Sequence, residues 1–561
     1  MPRLGFLGAT ASERALVLGL VVFVGAVGAA PFLRLIAEAL HPDVLAAVLG
    51  APRTWLAAER TVATGLASTA LALVLGGALA LLIGATDLPG KTPLGFAVVL
   101  PLLIPSQVTA IAWIDLLGPA SPVLSLVGLA PAAGASHPLY GFGGISFLLG
   151  LEHAPLVFLA LRAGLRALPG EAIEAAEGAG ATRLRILRTI VLPMTLPSLV
   201  AGSALAFVSA IGNFATAALL GIPGRYSVLT VLIYQRLAGF GPQAIGEVAV
   251  LSLLLGVLAG AGVAVQTSLG RRRDLRWTRP RTTRLLPLRH WRWPLATLAW
   301  ALMGLLVALP LLALLTTALV KAEGLPLTSA TVTLENFRAV FVEHAATLRA
   351  ARNSVTLAAS TALLTALAAA LLAYVLVWRD GPLARGLSVV AEIPYALPGV
   401  VLALAAILLF LRPLPLLGFS LYNTLGIILV AYVARFLVLA LRTTVAGYLQ
   451  IDRALEEAAE IAGAGLWRRI ATVILPLAAP AVAAGAVLVF LTALNELTVS
   501  ALLWSSGNET LGVVVFSLEQ GGDGTLSAAL SVLVVLATLS LMGLATLAAR
   551  RLPRGVLPWQ G

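Results

Sequence analysis

The chain has 561 residues, is 60% hydrophobic and only 11% charged, and contains no cysteine. Soluble domains carry about 25% charged residues, so no water-soluble fold could bury this much apolar side chain; the bilayer must be the solvent. Lack of cysteine excludes disulfides, thiolate metal ligands and thiol catalysis, and the net charge of +12 has to be read by where the charges lie.

Apolar runs near 20 residues recur, the length at which a helix crosses about 30 Å of hydrocarbon while satisfying its own backbone. Arg3 and Arg14 precede the first of them, Ala15–Ala30, which continues past Pro31 to Ile36. That is long for the core of a secretory signal, and we read it as a retained first helix. Further spans are expected at Thr61–Gly84, Leu94–Leu117, Gly144–Leu161, Leu196–Leu220 and Ala244–Leu269. After a basic linker come Leu295–Leu319, Asn353–Val377, Gly386–Leu411, Leu421–Leu441, Leu477–Leu503 and Leu526–Ala549. The expected fold is an all-α polytopic membrane protein of about 12 transmembrane helices. They form two tandem six-helix halves, residues 1–270 and 295–561, joined by the linker 271–294.

The linker holds nine arginines, among them Arg271, Arg272, Arg273 and Arg276, interleaved with Trp277, Trp291 and Trp293. Basic residues kept on the inner side, and tryptophans at the headgroup level beside anionic lipid, account for it without nucleic acid. Starting the chain inside places most of the 37 Lys and Arg residues on the cytoplasmic side, including the Arg550, Arg551 and Arg554 tail, so both termini are expected there.

Two polar interruptions share one register. In the first, 169–193, Glu174-Ala175-Ala176 is followed by Gly180 and by Leu192-Pro193; in the second, 452–476, Glu457-Ala458-Ala459 is followed by Gly463 and Leu475-Pro476 at the same spacing. A second constant offset relates Asp87, Pro101 and Pro105 to Asp380, Pro394 and Pro398. A parallel repeat implies a pseudo-two-fold axis along the membrane normal with a pathway between the halves. Glu171, Glu174 and Glu177 follow Pro169 at three-residue spacing, which suits a helix N-terminus. Ala172, Ala175 and Ala176 leave a surface that another protein can approach closely, and Gly178 and Gly180 end the helix, as Gly463 and Gly465 do in the second copy. One such loop could be an interfacial element without a partner; two in register point to paired docking points.

At these residues the chain resembles the permease subunits of binding-protein-dependent ABC importers, whose signature is Glu-Ala-Ala, three residues, Gly, nine residues, Ile-x-Leu-Pro. It is complete at Glu174–Pro193, and Val473 replaces the Ile in the second copy. The resemblance implies that each loop forms a coupling helix seated in a groove of a cytoplasmic ABC ATPase subunit, two copies in all. It also implies a periplasmic or lipid-tethered solute-binding protein, a place in the bacterial inner membrane, and ATP-Mg bound by the partner subunits, with no cofactor and no catalysis in this chain. Ala85 to Thr92 formally fits a relaxed phosphate-loop pattern, but it is a short turn between spans closed by Pro89 and Pro93, with no α/β domain around it.

Charged groups within spans are functional candidates by default. Glu392 and Arg435 lie at similar depth from the cytoplasmic ends of neighbouring spans and are expected to form a buried ion pair. Asn495 and Glu496, the repeat-matched Gly212 and Asn213, and Glu152 beside His153 are candidates to line the pathway; His153 is read as a hydrogen bonder between helices. A carboxylate and an amide make no cage for a tightly held metal ion. The fused layout, with Leu494–Trp504 and Leu511–Phe516, looks most like the iron(III)-type permeases; thiamine, polyamine, phosphonate and sulfate importers remain alternatives. A secondary transporter would need ion-coupling carboxylates and no paired coupling loops. A membrane enzyme ranks last, for want of a nucleophile–base or metal-ligating set.

Overall fold

The structure, a computed structural model, describes residues 10–132, 134–239, 244–270, 287–379, 381–413 and 418–549. The readings placed on Arg3, on Arg271, Arg272, Arg273, Arg276 and Trp277, on Asp380 and on the Arg550 to Arg554 tail fall outside them.

In the first half the principal helices are α1 (Ala11–Ala39), α2 (Pro52–Ala85), α3 (Lys91–Leu103), α4 (Ser106–Leu117), α5 (Phe142–Arg166), α6 (Gly170–Gly178), α7 (Arg183–Gly212) and α8 (Ala244–Gly270). In the second they are α9 (Arg289–Ala318), α10 (Ala345–Trp378), α11 (Pro382–Ala396), α12 (Gly399–Phe410), α13 (Leu425–Tyr448), α14 (Arg453–Ile461), α15 (Leu466–Leu494), α16 (Leu511–Gly521) and α17 (Gly524–Ala549). Among the described residues, 11 helices are long and apolar enough to cross a membrane, or 12 if the bent pair α11 and α12 counts as one span. This is the polytopic all-helical fold that the composition demands.

Both halves are built on the same trio: α2, α5 and α7 pack together, as do α10, α13 and α15. Lipid tails give packed helices no hydrophobic drive toward one another, so close contact depends on small residues. Gly76 on α2 shows the requirement, since a Cβ there would stand 2.2 Å from the Ala154 carbonyl oxygen on α5. The first helix of each half crosses to the other half: the end of α1 packs on α12, and the end of α9 packs on α4. Both first helices carry a five-residue π segment, Gly25–Ala29 and Gly304–Ala308, ahead of Pro31 and Pro310.

Four expected spans are broken rather than continuous. Leu94–Leu117 divides between α3 and α4, and Gly386–Leu411 between α11 and α12, which diverge by 108°. The cause is Pro105 and its repeat mate Pro398: the residue before each is driven to extended backbone (Ile104 ψ 133°, Leu397 ψ 148°), and the proline begins the next helix. Leu196–Leu220 stops at Gly212 and resumes at Ala215–Gly221; Leu477–Leu503 stops at Leu494 and resumes at Ser500–Leu503. An apolar window sees only hydrophobicity, and these breaks lie within apolar sequence.

Candidate functional site

The two registered loops fold alike. Each begins with a nine-residue helix, α6 or α14, too short to be stable alone and therefore held by what it packs on. Each ends in the same double cap. Gly180 N–H donates to Glu177 O (2.9 Å) and Ala181 N–H to Ala176 O (2.9 Å); Gly463 N–H donates to Glu460 O (2.9 Å) and Ala464 N–H to Ala459 O (3.0 Å). This capping places the glycine in the left-handed region, at φ +77° for Gly180 and +82° for Gly463. A π segment follows at the same offset, Leu187–Val191 and Ile470–Ile474, and runs into Leu192-Pro193 and Leu475-Pro476 at the start of the next long helix.

Glu174 and Ala175 are exposed with Ala176 half-buried, and Glu457, Ala458 and Ala459 repeat that pattern. Ile461 at the end of α14 is 88% exposed, an apolar side chain presented on a polar helix. Each copy thus offers a low, acidic knuckle, and the second adds an exposed isoleucine. The phosphate-loop look-alike is a tight turn: Gly90 sits at φ +72°, the Lys91 ammonium is bonded to the Thr86 carbonyl, and Asp87 accepts from the Leu288 N–H (2.6 Å).

Inside the bundle, the pathway candidates divide into two clusters. In the first half, Glu152 accepts from Ser106 Oγ and from Asn213 Nδ2 (3.3 Å), and the same Asn213 nitrogen donates to Ser106 Oγ (3.1 Å). In the second half, Glu496 Oε2 lies 3.5 Å from Arg435 Nε. The clusters occupy matching positions: Glu152 corresponds to Arg435 and Asn213 to Glu496 at the offset of the loops, while Ser106 corresponds to Gly399 at the offset of the prolines. Asn213 Oδ1 accepts the Thr216 N–H and Glu496 Oε1 the Val499 N–H, both at 3.0 Å, so each satisfies backbone freed by the helix break beside it. Asn495 lies apart, bonded to Leu491 O (3.1 Å) and Thr538 (3.4 Å). Along the seam between halves, a Cβ on Gly212 would stand 3.3 Å from Pro398, and the Phe214 ring lies 5.5 Å from that of Phe516.

Two expectations need correction. Glu392 does not pair with Arg435. The turn at Leu397-Pro398 swings α11 aside, leaving Glu392 half-exposed and 3.6 Å from Arg442, while Arg435 turns inward to Glu496. His153 bonds the Leu149 carbonyl of its own helix (Nδ1 to O, 2.7 Å), not a neighbouring one. Sequence reasoning missed Ser106, Phe214, Phe516 and Glu13; Arg469, which as part of a basic segment after the second loop suits the lipid headgroups, is instead buried at 2% exposure. Ser106 could have been found from the proline offset; the aromatic pair carried no signal.

Comparison with known proteins follows the same division. The family model described as binding-protein-dependent transport system inner membrane component matches twice, over residues 76–274 and 362–556. The chain belongs to this family. As a permease of this kind it resembles the probable ABC transporter permease protein y4fN of Sinorhizobium fredii, 29% identical over 84% of this chain and 83% of the relative. It also resembles the putative ferric transport system permease protein FbpB 1 of Haemophilus influenzae, 24% identical over 72% of this chain and 63% of the relative, so it spans less than two thirds of that protein's length. A crystal structure of a bacterial ABC transporter involved in the import of the acidic polysaccharide alginate aligns with a TM-score of 0.39 and 18% identity, covering 47% of this permease and 97% of that chain. The permease is a multi-pass membrane protein and the transport subunit of an ABC importer.

Proposed function

We propose that the permease passes iron(III) across the inner membrane of a bacterial cell, driven by two cytoplasmic ATPase subunits that grip α6 and α14. The observation that carries the docking is the pair of acidic helices with the same C-terminal cap, each exposed on one side and rooted on the other. ATP-Mg resides in the partner subunits, and closure of the ATPases pulls both knuckles. A knuckle on a short rigid stem transmits that displacement to α7 and α15, which start a few residues later. Both ends of the chain lie in the cytoplasm, and a periplasmic or lipid-tethered binding protein delivers the solute to the opposite side.

Asn213, Glu152, Glu496 and Arg435 line the pathway where the halves meet, with Asn495 behind them. The ferric relative, whose match extends over both halves, supports iron(III) as the solute. The test is uptake into proteoliposomes holding the permease, its ATPase and its binding protein, with radiolabelled iron(III), thiamine and sulfate as separate substrates. Uptake of iron(III) that requires ATP supports the reading. Uptake of another solute alone refutes the iron assignment, and uptake driven by an ion gradient without ATP refutes the docking.

A further inference from the structure

At matching positions of the repeat, the two short helices are fastened by opposite chemistry. Under α6, Ile173 and Ile186 are both 2% exposed and belong to one apolar cluster with Ala296, Ala299 and Met303 from the first helix of the other half. The same offset leads to Glu456 and Arg469 in the second copy, 7% and 2% exposed. Here an ion cluster replaces the apolar one. Arg469 Nε lies 3.4 Å from Glu456 Oε1, its Nη1 2.6 Å from Glu460 Oε2, and its Nη2 3.2 Å from Oε1 of Glu13 on α1. Arg379 shares that Glu13 oxygen, and Tyr374 donates to Glu456 (2.9 Å).

Glu13 is 5% exposed and has two duties. Its Oε2 accepts the Thr10 N–H (2.9 Å) in a capping box at the start of α1, which leaves Oε1 for the two arginines. In the second copy, then, the first helix of the opposite half braces the base of the knuckle through charge, whereas in the first copy the base sits in an apolar cluster to which the opposite half's first helix contributes. The two kinds of brace fail differently. Apolar packing loosens by degrees, whereas removing one member of a buried ion cluster leaves an uncompensated charge.

We propose that Glu13 is a positioning residue for the second coupling helix: through Arg469 the first helix of the chain latches α14, while α6 needs no ionic latch. That α14 docks an ATPase rests on the function proposed above; the latch itself does not. Hydrogen exchange on the millisecond scale, with the full chain in nanodiscs and no ATPase present, tests it. Glu13→Gln is expected to raise exchange of amides 453–462 at least about tenfold and to leave amides 170–179 within about twofold. The double substitution Glu456→Ile with Arg469→Ile copies the first knuckle, and adding Glu13→Gln to it should leave amides 453–462 within about twofold. The proposal is overturned if both knuckles respond alike, if neither responds, or if the apolar double variant still answers to Glu13. If Glu13→Gln alone does not fold, the double background decides: a folded triple variant with unchanged protection supports the latch, and further loss overturns it. ATPase cross-linking measured separately would fail if docking were wrong, with these exchange results unchanged.

Discussion

Gly180 and Gly463 allow the docking geometry to be tested in graded steps. A Cβ at either position would meet nothing within 4 Å, so alanine is opposed only by the left-handed backbone, at about 1–2 kcal/mol per site. Proline cannot take φ +77° or +82° at all, and it removes the N–H that bonds Glu177 or Glu460. Rebuilding the turn costs about 3 kcal/mol, and the lost hydrogen bond adds about 1 kcal/mol. Since 1.4 kcal/mol is about tenfold, alanine at one site should lower ATP-driven uptake by about five- to thirtyfold, and proline at both should abolish it. Gly178, one residue before the cap, also has open space around it but no positive φ, so Gly178→Ala should be neutral or slightly stabilising. The assay is uptake and ATPase stimulation in proteoliposomes, with the amount of folded permease in the membrane as control. Equal losses for Gly178→Ala and Gly180→Ala would refute the reasoning, as would full uptake by the double proline variant.

The two intramembrane charge pairs differ in burial. Arg435→Gln or Glu496→Gln breaks a pair whose side chains are only 20% and 10% exposed and should cost up to about 3 kcal/mol. Glu392→Gln breaks an exposed pair and should fall within about 0.5 kcal/mol. Thermal unfolding of the purified chain measures both, and the reverse ranking would contradict the structure. Glu509, in the loop before α16, is pushed up by burial but pulled further down by hydrogen bonds from Arg349 and the Gly507 N–H, and its carboxyl ends below the ordinary value. A depressed carboxylate stabilises the folded state above its unfolded pKa of about 4.3 and loses that contribution as pH falls through the folded value. The melting temperature should therefore drop on acidification toward pH 3 by more in the wild type than in Glu509→Gln; parallel curves would contradict this.

Length, composition and period made the bundle legible, because a helix of about 20 apolar residues has few other fates. The knuckles were legible for a second reason: a glycine forced to positive φ and a polar helix between apolar ones both leave marks in sequence, and the marks came twice. The broken spans were not, although the prolines at two of the four breaks had been matched. Whether Pro105 kinks a helix or starts a new one depends on what packs against it, and here α9 packs on α4. Arg435 was correctly singled out as a buried charge but joined to the wrong acid. Depth along a straight helix cannot locate a side chain beyond a 108° turn. The latch at Arg469 lay hidden because its carboxylate on Glu13 is 456 residues away, on a helix that crosses to the other half.

The measurement nearest the central claim places a photoreactive side chain at Ala175 or at Ala458, both exposed and in register, in cells carrying the whole importer. The account predicts that each position alone yields an adduct with the ATPase subunit. Adducts confined to lipid or to the binding protein, or an ATPase adduct from one position with none from the other, would contradict it.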